Sequence, residues 1–192
     1  HLDVVTGAPL LRKSVLNGRA AVYFPNGGYL QRNVVPFATL LSGAGLGTVF
    51  VVFYPDADDA GTSFLWVQTG IVRGQYLNCA ALTHSARAYD GTTDTASNAA
   101  LTLGAVHIAT WYYNGTSIYA GLDDADSAAL ALTASGAQQN LGSETLYVGS
   151  DTANHFKGYI AELIFCNSNL SEEDRRRVVK YLKDKYAITE NT

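Results

Sequence analysis

Up to Asn167 the chain alternates short apolar runs rich in Val, Ile, Tyr, Phe and Thr with clusters of Gly, Asn, Asp and Ser, the pattern of strands joined by turns. Strands are expected over Ala20–Phe24, Thr48–Tyr54, Phe64–Thr69, Tyr76–Leu82, Val106–Tyr113, Ser117–Leu122, Leu146–Gly149 and Tyr159–Cys166. The run Thr48–Tyr54 (TVFVVFY) is unbroken and stops at Pro55, which predicts a central strand covered on both faces. Asn114-Gly115 joins two such runs, and both residue types tolerate the positive φ of a tight hairpin turn. Beyond Asn167 the period changes. Ser171-Glu172-Glu173-Asp174 resembles a capping box with acidic residues at the positive end of a helix. Val178, Val179, Leu182 and Tyr186 then recur at spacings of three and four, while Arg175, Arg176, Arg177, Lys180, Lys183 and Lys185 fill the remainder. This predicts an amphipathic helix over 171–186 docked on a nearly all-β body, with a frayed end at Thr189 to Thr192. The basic helix face reads as a solvated surface, the alternative being a patch for anionic polymers or lipid head groups.

With 192 residues, 47% of them hydrophobic and 16% charged, the chain can bury one sizeable core, and no composition shift marks a second domain. Residues 1–192 are expected to form one domain. A net charge of −4 leaves no excess of cations for a phosphate backbone, so nucleic acid is excluded as a partner. No apolar run approaches the roughly 20 residues of a membrane-spanning helix, which argues against membrane insertion. The absence of methionine and the start at His1 lead us to expect a mature or excised segment. Cys79 and Cys166 lie in apolar strand-like runs and read as free thiols, a single long-range disulfide being the alternative. Neither sits in a C-x-x-C pair, and His1, His84, His107 and His155 lack zinc-site spacing. Asn114-Gly115-Thr116 and Asn169-Leu170-Ser171 match glycosylation sequons, but the turn and the helix cap account for the same residues.

The stretch Gly158 to Ile188 (GYIAELIFCNSNLSEEDRRRVVKYLKDKYAI) is similar to the closing segment of concanavalin A-like, laminin-G-like domains: a Gly-led strand, an acidic residue, then a capped helix ending in YLKDKY. NGRAAVYFPNGGYL at Asn17 to Leu30, TVFVVFYPD, the hairpin at Asn114 to Gly121, and LYVGSD leading to Phe156 match in the same order. The resemblance implies a jelly-roll sandwich of two antiparallel sheets with a concave face and loops along one edge. Two departures stand out. Members often carry a further strand and a Trp-containing stretch before the NGRAAVYF segment, so the first part of this domain is expected to be trimmed or supplied by a neighbouring chain. Pro25-Asn26-Gly27 replaces an Asp-Gly, which keeps turn chemistry but loses a carboxylate.

Hydrolysis of a glycoside would need two carboxylates roughly 5 to 9 Å apart, and no E-x-D-x-x-E alternation supplies them. Glu162, alone on an apolar strand, reads as a structural anchor accepting loop N–H groups. No G-x-S-x-G, Walker loop or H-E-x-x-H occurs, so a non-catalytic protein is expected. Two acidic loops, Asp56-Ala57-Asp58-Asp59 and Asp123-Asp124-Ala125-Asp126, follow strands and carry oxygen ligands suited to calcium. An EF-hand is excluded, because Ala60 and Val67 stand where ligands five and twelve belong. Asp56, Asp58, Asp123 and Asp124 are therefore the candidate calcium ligands, set against the reading of both loops as solvated turns.

A sugar would be held by aromatic rings flanked by amide and carboxylate groups. The candidates are Trp66, Trp111, Tyr113 and, on the polar stretch Ser85 to Asn98 read as an adaptable loop, Tyr89 and Asp90. For each ring the competing reading is a core position. The expected function is a recognition or adhesion module that binds carbohydrate, part of a larger extracellular, cell-surface or virion-surface protein. The alternative is a structural assembly protein, such as a phage decoration or fibre component, packing against copies of itself or a parent particle. A binding module should show an aromatic groove, an assembly protein an apolar patch or an open sheet edge.

Overall fold

The computed structural model describes residues 4–32, 47–59, 61–68, 73–89, 93–98, 101–114, 116–123, 125–126, 130–131, 145–150 and 153–188. Among them the strands are β1 (Val4–Thr6), β2 (Leu10–Leu16), β3 (Arg19–Phe24), β4 (Tyr29–Arg32), β5 (Gly47–Pro55), β6 (Thr62–Gln68), β7 (Arg73–Asn78), β8 (Thr83–Tyr89), β9 (Thr93–Asn98), β10 (His107–Tyr113), β11 (Ser117–Leu122), β12 (Ala125–Asp126), β13 (Leu130–Ala131), β14 (Leu146–Val148) and β15 (Gly158–Cys166), followed by helix α1 (Glu172–Tyr186). Every pairing is antiparallel. The first sheet runs β1-β4-β14-β6-β7-β8-β9 and the second β12-β11-β10-β5-β15-β3-β2, with β13 also on β11. This is the expected all-β sandwich with one C-terminal helix.

β5 lies between β10 and β15, and its alternation explains why it reads as apolar throughout. Val49, Val51 and Phe53 face the core between the sheets, whereas Phe50 and Val52 face a second apolar cluster under Val179, Leu182 and Tyr186 of α1. Ser171 caps α1 as its sequence predicts: its hydroxyl oxygen accepts from the Asp174 N–H at 3.1 Å. The hairpin at Asn114 also holds, with the Asn114 Oδ1 accepting from the N–H groups of Thr116 and Ser117. Cys79 and Cys166 are free thiols; Cys79 is buried and Cys166 half-buried.

Two expectations are corrected. The stretch Ser85 to Asn98 is not one long loop, because Thr83–Tyr89 and Thr93–Asn98 pair as a β-hairpin. The strand expected over Tyr76–Leu82 runs instead from Arg73 to Asn78, since the Asn78 side chain accepts from the Ala81 N–H and Leu82 takes a left-handed φ of 51°, turning the chain. Among the described residues no helix is long and apolar enough to cross a membrane.

Candidate functional site

Three tyrosines line up on the outer face of the second sheet. Tyr159 of β15 is directly opposite Tyr23 of β3 on one side and Tyr54 of β5 on the other. Each follows or precedes a core residue in strict alternation (Phe24, Phe53, Ile160), so the three rings are forced onto the face opposite the core. Gly158 makes the close approach possible: at φ 145° it sits where an added Cβ would be 2.1 Å from the Tyr54 carbonyl oxygen. The Tyr23 and Tyr159 centroids are 4.9 Å apart at 49°, and those of Tyr54 and Tyr159 are 6.0 Å apart at 68°. The rings therefore form a ribbed, half-buried strip on the outer face, with Tyr54 and Tyr159 packed against the apolar cluster that α1 covers.

Polar groups edge the strip. The Tyr23 hydroxyl donates to Asp56 Oδ2 at 3.1 Å, and the Asp56 N–H donates to the Lys157 carbonyl at 3.0 Å, which fixes the loop after β5 beside the strand leading into β15. Burial, then the bond to Asp56, raises the Tyr23 pKa. The Lys157 ammonium lies 2.5 Å from Asp58 Oδ2, and this bond holds Asp58 below the usual carboxylate range and Lys157 above the usual ammonium range. The hydroxyls of Tyr54 and Tyr159 make no hydrogen bond to a described residue, leaving donors and acceptors for a ligand next to apolar ring faces.

The sequence candidates separate into two groups. Asp56 and Asp58 belong to this site. Asp123 does not: it bonds His107 Nδ1 at 2.8 Å and accepts from the Ile108 N–H at 2.9 Å, in a left-handed turn at φ 59°. Asp90 and Asp124 lie outside the described residues, and of Tyr89 the structure describes the strand position, paired with Thr93, but not the side chain. Trp66, Trp111 and Tyr113 are corrected as sugar-stacking rings, because all three are fully buried between the sheets. Trp66 packs edge-on against Trp111 at 5.9 Å, and its Nε1–H donates to the Gln75 Oε1 at 2.6 Å. A ring that fills the core offers no face to a ligand. Among the described residues no group of three or more His, Cys, Asp or Glu side chains converges as a metal site.

Sequence reasoning missed Tyr23, Tyr54, Tyr159 and Lys157. Alternation marks each tyrosine as facing away from the core, but only the register of β3, β15 and β5 brings positions so far apart into one row. Glu162 is an anchor, as expected, yet its donors are not loop N–H groups. They are the Lys185 Nζ at 2.7 Å and the Tyr186 hydroxyl at 3.0 Å, both from α1.

No protein-family model matches the sequence, and neither does any curated protein. Solved structures do match in fold. The CBM40 of the Ruminococcus gnavus IT-sialidase, bound to alpha2,3 sialyllactose, aligns at 13% identity over 90% of this chain and 100% of its own, with a TM-score of 0.65. Domain 4 of AbnA, an extracellular arabinanase of Geobacillus stearothermophilus, in complex with arabinotriose, aligns at 9% identity over 90% and 82%, with a TM-score of 0.68. A heptameric SAP-like pentraxin of Limulus polyphemus aligns at 12% over 83% and 81%, with a TM-score of 0.61. The chain therefore shares the antiparallel two-sheet β-sandwich fold of these domains, the fold that the sequence resemblance implies.

Proposed function

We propose that this protein is a non-catalytic carbohydrate-binding module and that the Tyr23–Tyr159–Tyr54 strip is its sugar platform. The observation that carries this reading is the row itself: three half-buried rings on adjacent strands of the outer face, two of whose hydroxyls have no hydrogen-bond partner among the described residues, with a carboxylate at their edge. Two structures of the same fold, named above, hold sialyllactose and arabinotriose, which supports carbohydrate as the ligand class. The Asp56 carboxylate at the edge, bonded to a neutral hydroxyl while Asp58 is paired with Lys157, favours a neutral sugar over an anionic one. Hydrolysis needs a carboxyl group that stays protonated to act as general acid, and the Lys157 ammonium keeps Asp58 ionised. Calcium has no place in the proposed contact, because Lys157 already supplies the positive charge at Asp58. The setting that goes with this role is a larger extracellular, cell-surface or virion-surface protein.

Glycan-array binding of the purified protein, with neutral and sialylated glycans and in calcium or EDTA, tests the proposal. The expected result is a defined neutral hit, equal in calcium and EDTA. No hit with any glycan would overturn it. One observation favours the alternative of a structural assembly protein, the open edge described next.

A further inference from the structure

Val5 of β1 and Leu11 of β2 occupy positions that face the interior of the sandwich, yet they are 59% and 69% exposed. Register fixes their direction. Val5 is opposite Leu30, which is opposite Val148, both packed on the inter-sheet core. Leu11 is opposite Val22, and Val22 is opposite Ile160 of the same core. β1 and β2 are the terminal strands of the two sheets, and residues Gly7 to Pro9 connect them directly, so both open edges lie on one side of the molecule. A cavity of about 170 Å³, lined by Val22, Phe24, Leu30, Val148, Ile160 and Leu163 among others, enters the core from between these sheets. Leu10 and Val15, also on β2, add exposed apolar surface.

The same edge is basic. Arg12 and Lys13 on β2 and Arg19 on β3 are exposed and make no ion pair with a described residue, in a chain whose net charge is −4. Two copies joined through β2 would bring two such cationic groups together, which costs free energy at a sheet edge. The left-handed Ser14 (φ 57°) also interrupts β2, limiting the regular pairing stretch to Leu10–Arg12. An extended segment with carboxylates between its apolar residues meets both requirements: its apolar side chains cover Val5 and Leu11, and its carboxylates meet Arg12, Lys13 and Arg19.

We propose that the β1–β2 side is a docking groove for an extended segment of another polypeptide in which apolar and acidic residues alternate. The test uses the whole chain and a short labelled peptide alternating valine and aspartate, with a valine–lysine peptide as control. Fluorescence polarisation reads binding, and hydrogen exchange reads protection of the Leu10–Leu16 amides. The acidic peptide is expected to bind saturably and protect β2. Leu11→Asp should weaken it by about tenfold or more, and Arg12→Glu with Lys13→Glu should do the same while admitting the lysine peptide. These side chains are exposed, so the variants should melt within a few degrees of the parent. Saturable binding without β2 protection, no binding of the acidic peptide, or β2 protection that rises with protein concentration alone would each overturn the proposal, the last by making a second copy the occupant.

Discussion

The hydroxyl of Tyr186 and the ammonium of Lys185 converge on one oxygen, Oε2 of Glu162, so the end of α1 is tied to the bulged strand β15 by a single carboxylate. Burial, then the bond to Glu162, pushes the Tyr186 pKa up to about 12. Removing the acceptor strands a half-buried hydroxyl and a cation together, whereas removing the hydroxyl strands nothing. Glu162→Ala should therefore cost about 1–3 kcal/mol of stability and Tyr186→Phe about 1 kcal/mol or less, measured by urea unfolding. Equal losses from the two variants would show that the carboxylate does not organise this contact.

Acidity and alkalinity should act on two different histidines. His84 is fully buried; burial drives its pKa down to about 3, with smaller effects of the Asp123 and His107 charges. Its Nε2, 3.3 Å from the Gln75 Nε2, accepts a hydrogen bond from that amide N–H, because Gln75 Oε1 is already taken by Trp66. The unfolded chain protonates His84 near its ordinary value of 6.5, so the stability tied to the neutral ring is present above 6.5 and lost as pH falls toward 3. His107 runs the other way. Burial lowers its pKa, but the hydrogen bond to Asp123, the Asp123 charge and the Thr102 carbonyl outweigh it and leave a net rise. Its contribution is complete below 6.5 and fades as pH climbs through the folded value. The melting temperature of His107→Gln should lose the decline expected of the parent as pH rises above 6.5, while the acid-side decline stays. NMR of the His84 ring should find it neutral at pH 5. A protonated ring there would contradict its placement in the core.

Helix α1 and strand β5 are legible in the sequence because their signals are local. A Ser cap followed by acidic residues, and apolar positions at spacings of three and four, need no partner to be read. The same holds for TVFVVFY, whose two apolar faces foretell two covers. The β8–β9 hairpin is illegible for the opposite reason: its Ala, Asp and Asn residues have low strand propensity, and pairing to β7 overrides it. Trp66, Trp111 and Tyr113 mislead because a large aromatic ring fits a sugar site and a core equally well until the inward face of its strand is known. The tyrosine strip is hidden by distance along the chain, since residues 23, 54 and 159 meet only through the order β3-β15-β5.

The loop after β5 should be insensitive to calcium. Asp58 is held by Lys157 and Asp56 by Tyr23, so each candidate ligand already has a donor. Lys157→Ala frees Asp58 and removes the local cation. The parent should melt at the same temperature in calcium and in EDTA, and Lys157→Ala should be the variant in which a calcium-dependent rise can emerge. A rise of several degrees in the parent would place a cation in this loop and displace Lys157 from its role.

Tyr159 is the one ring that touches both others, so its loss should break the sugar platform where loss of Tyr23 or Tyr54 only shortens it. Its ring is half-buried on the outer face, and the core behind it is filled by Ile160 and Phe53, so Tyr159→Ala removes contact area without opening a cavity between the sheets. Stability should fall by about 2 kcal/mol or more, since the lost burial against the cluster beneath α1 adds to the roughly 1 kcal/mol of an aromatic pair. Glycan affinity should fall by more than tenfold, since stacking on an aromatic ring and the loss of one hydroxyl each remove about 1 kcal/mol or more. Tyr159→Phe separates the two: it keeps the rings in place and should recover most of the affinity, the remaining deficit measuring the hydroxyl. Trp66→Phe serves as the opposite control, lowering stability through the core while leaving affinity at the parent value in the folded fraction. Isothermal titration with the glycan found on the array decides the matter, and parental affinity in Tyr159→Ala would move the sugar site off this face of the sandwich.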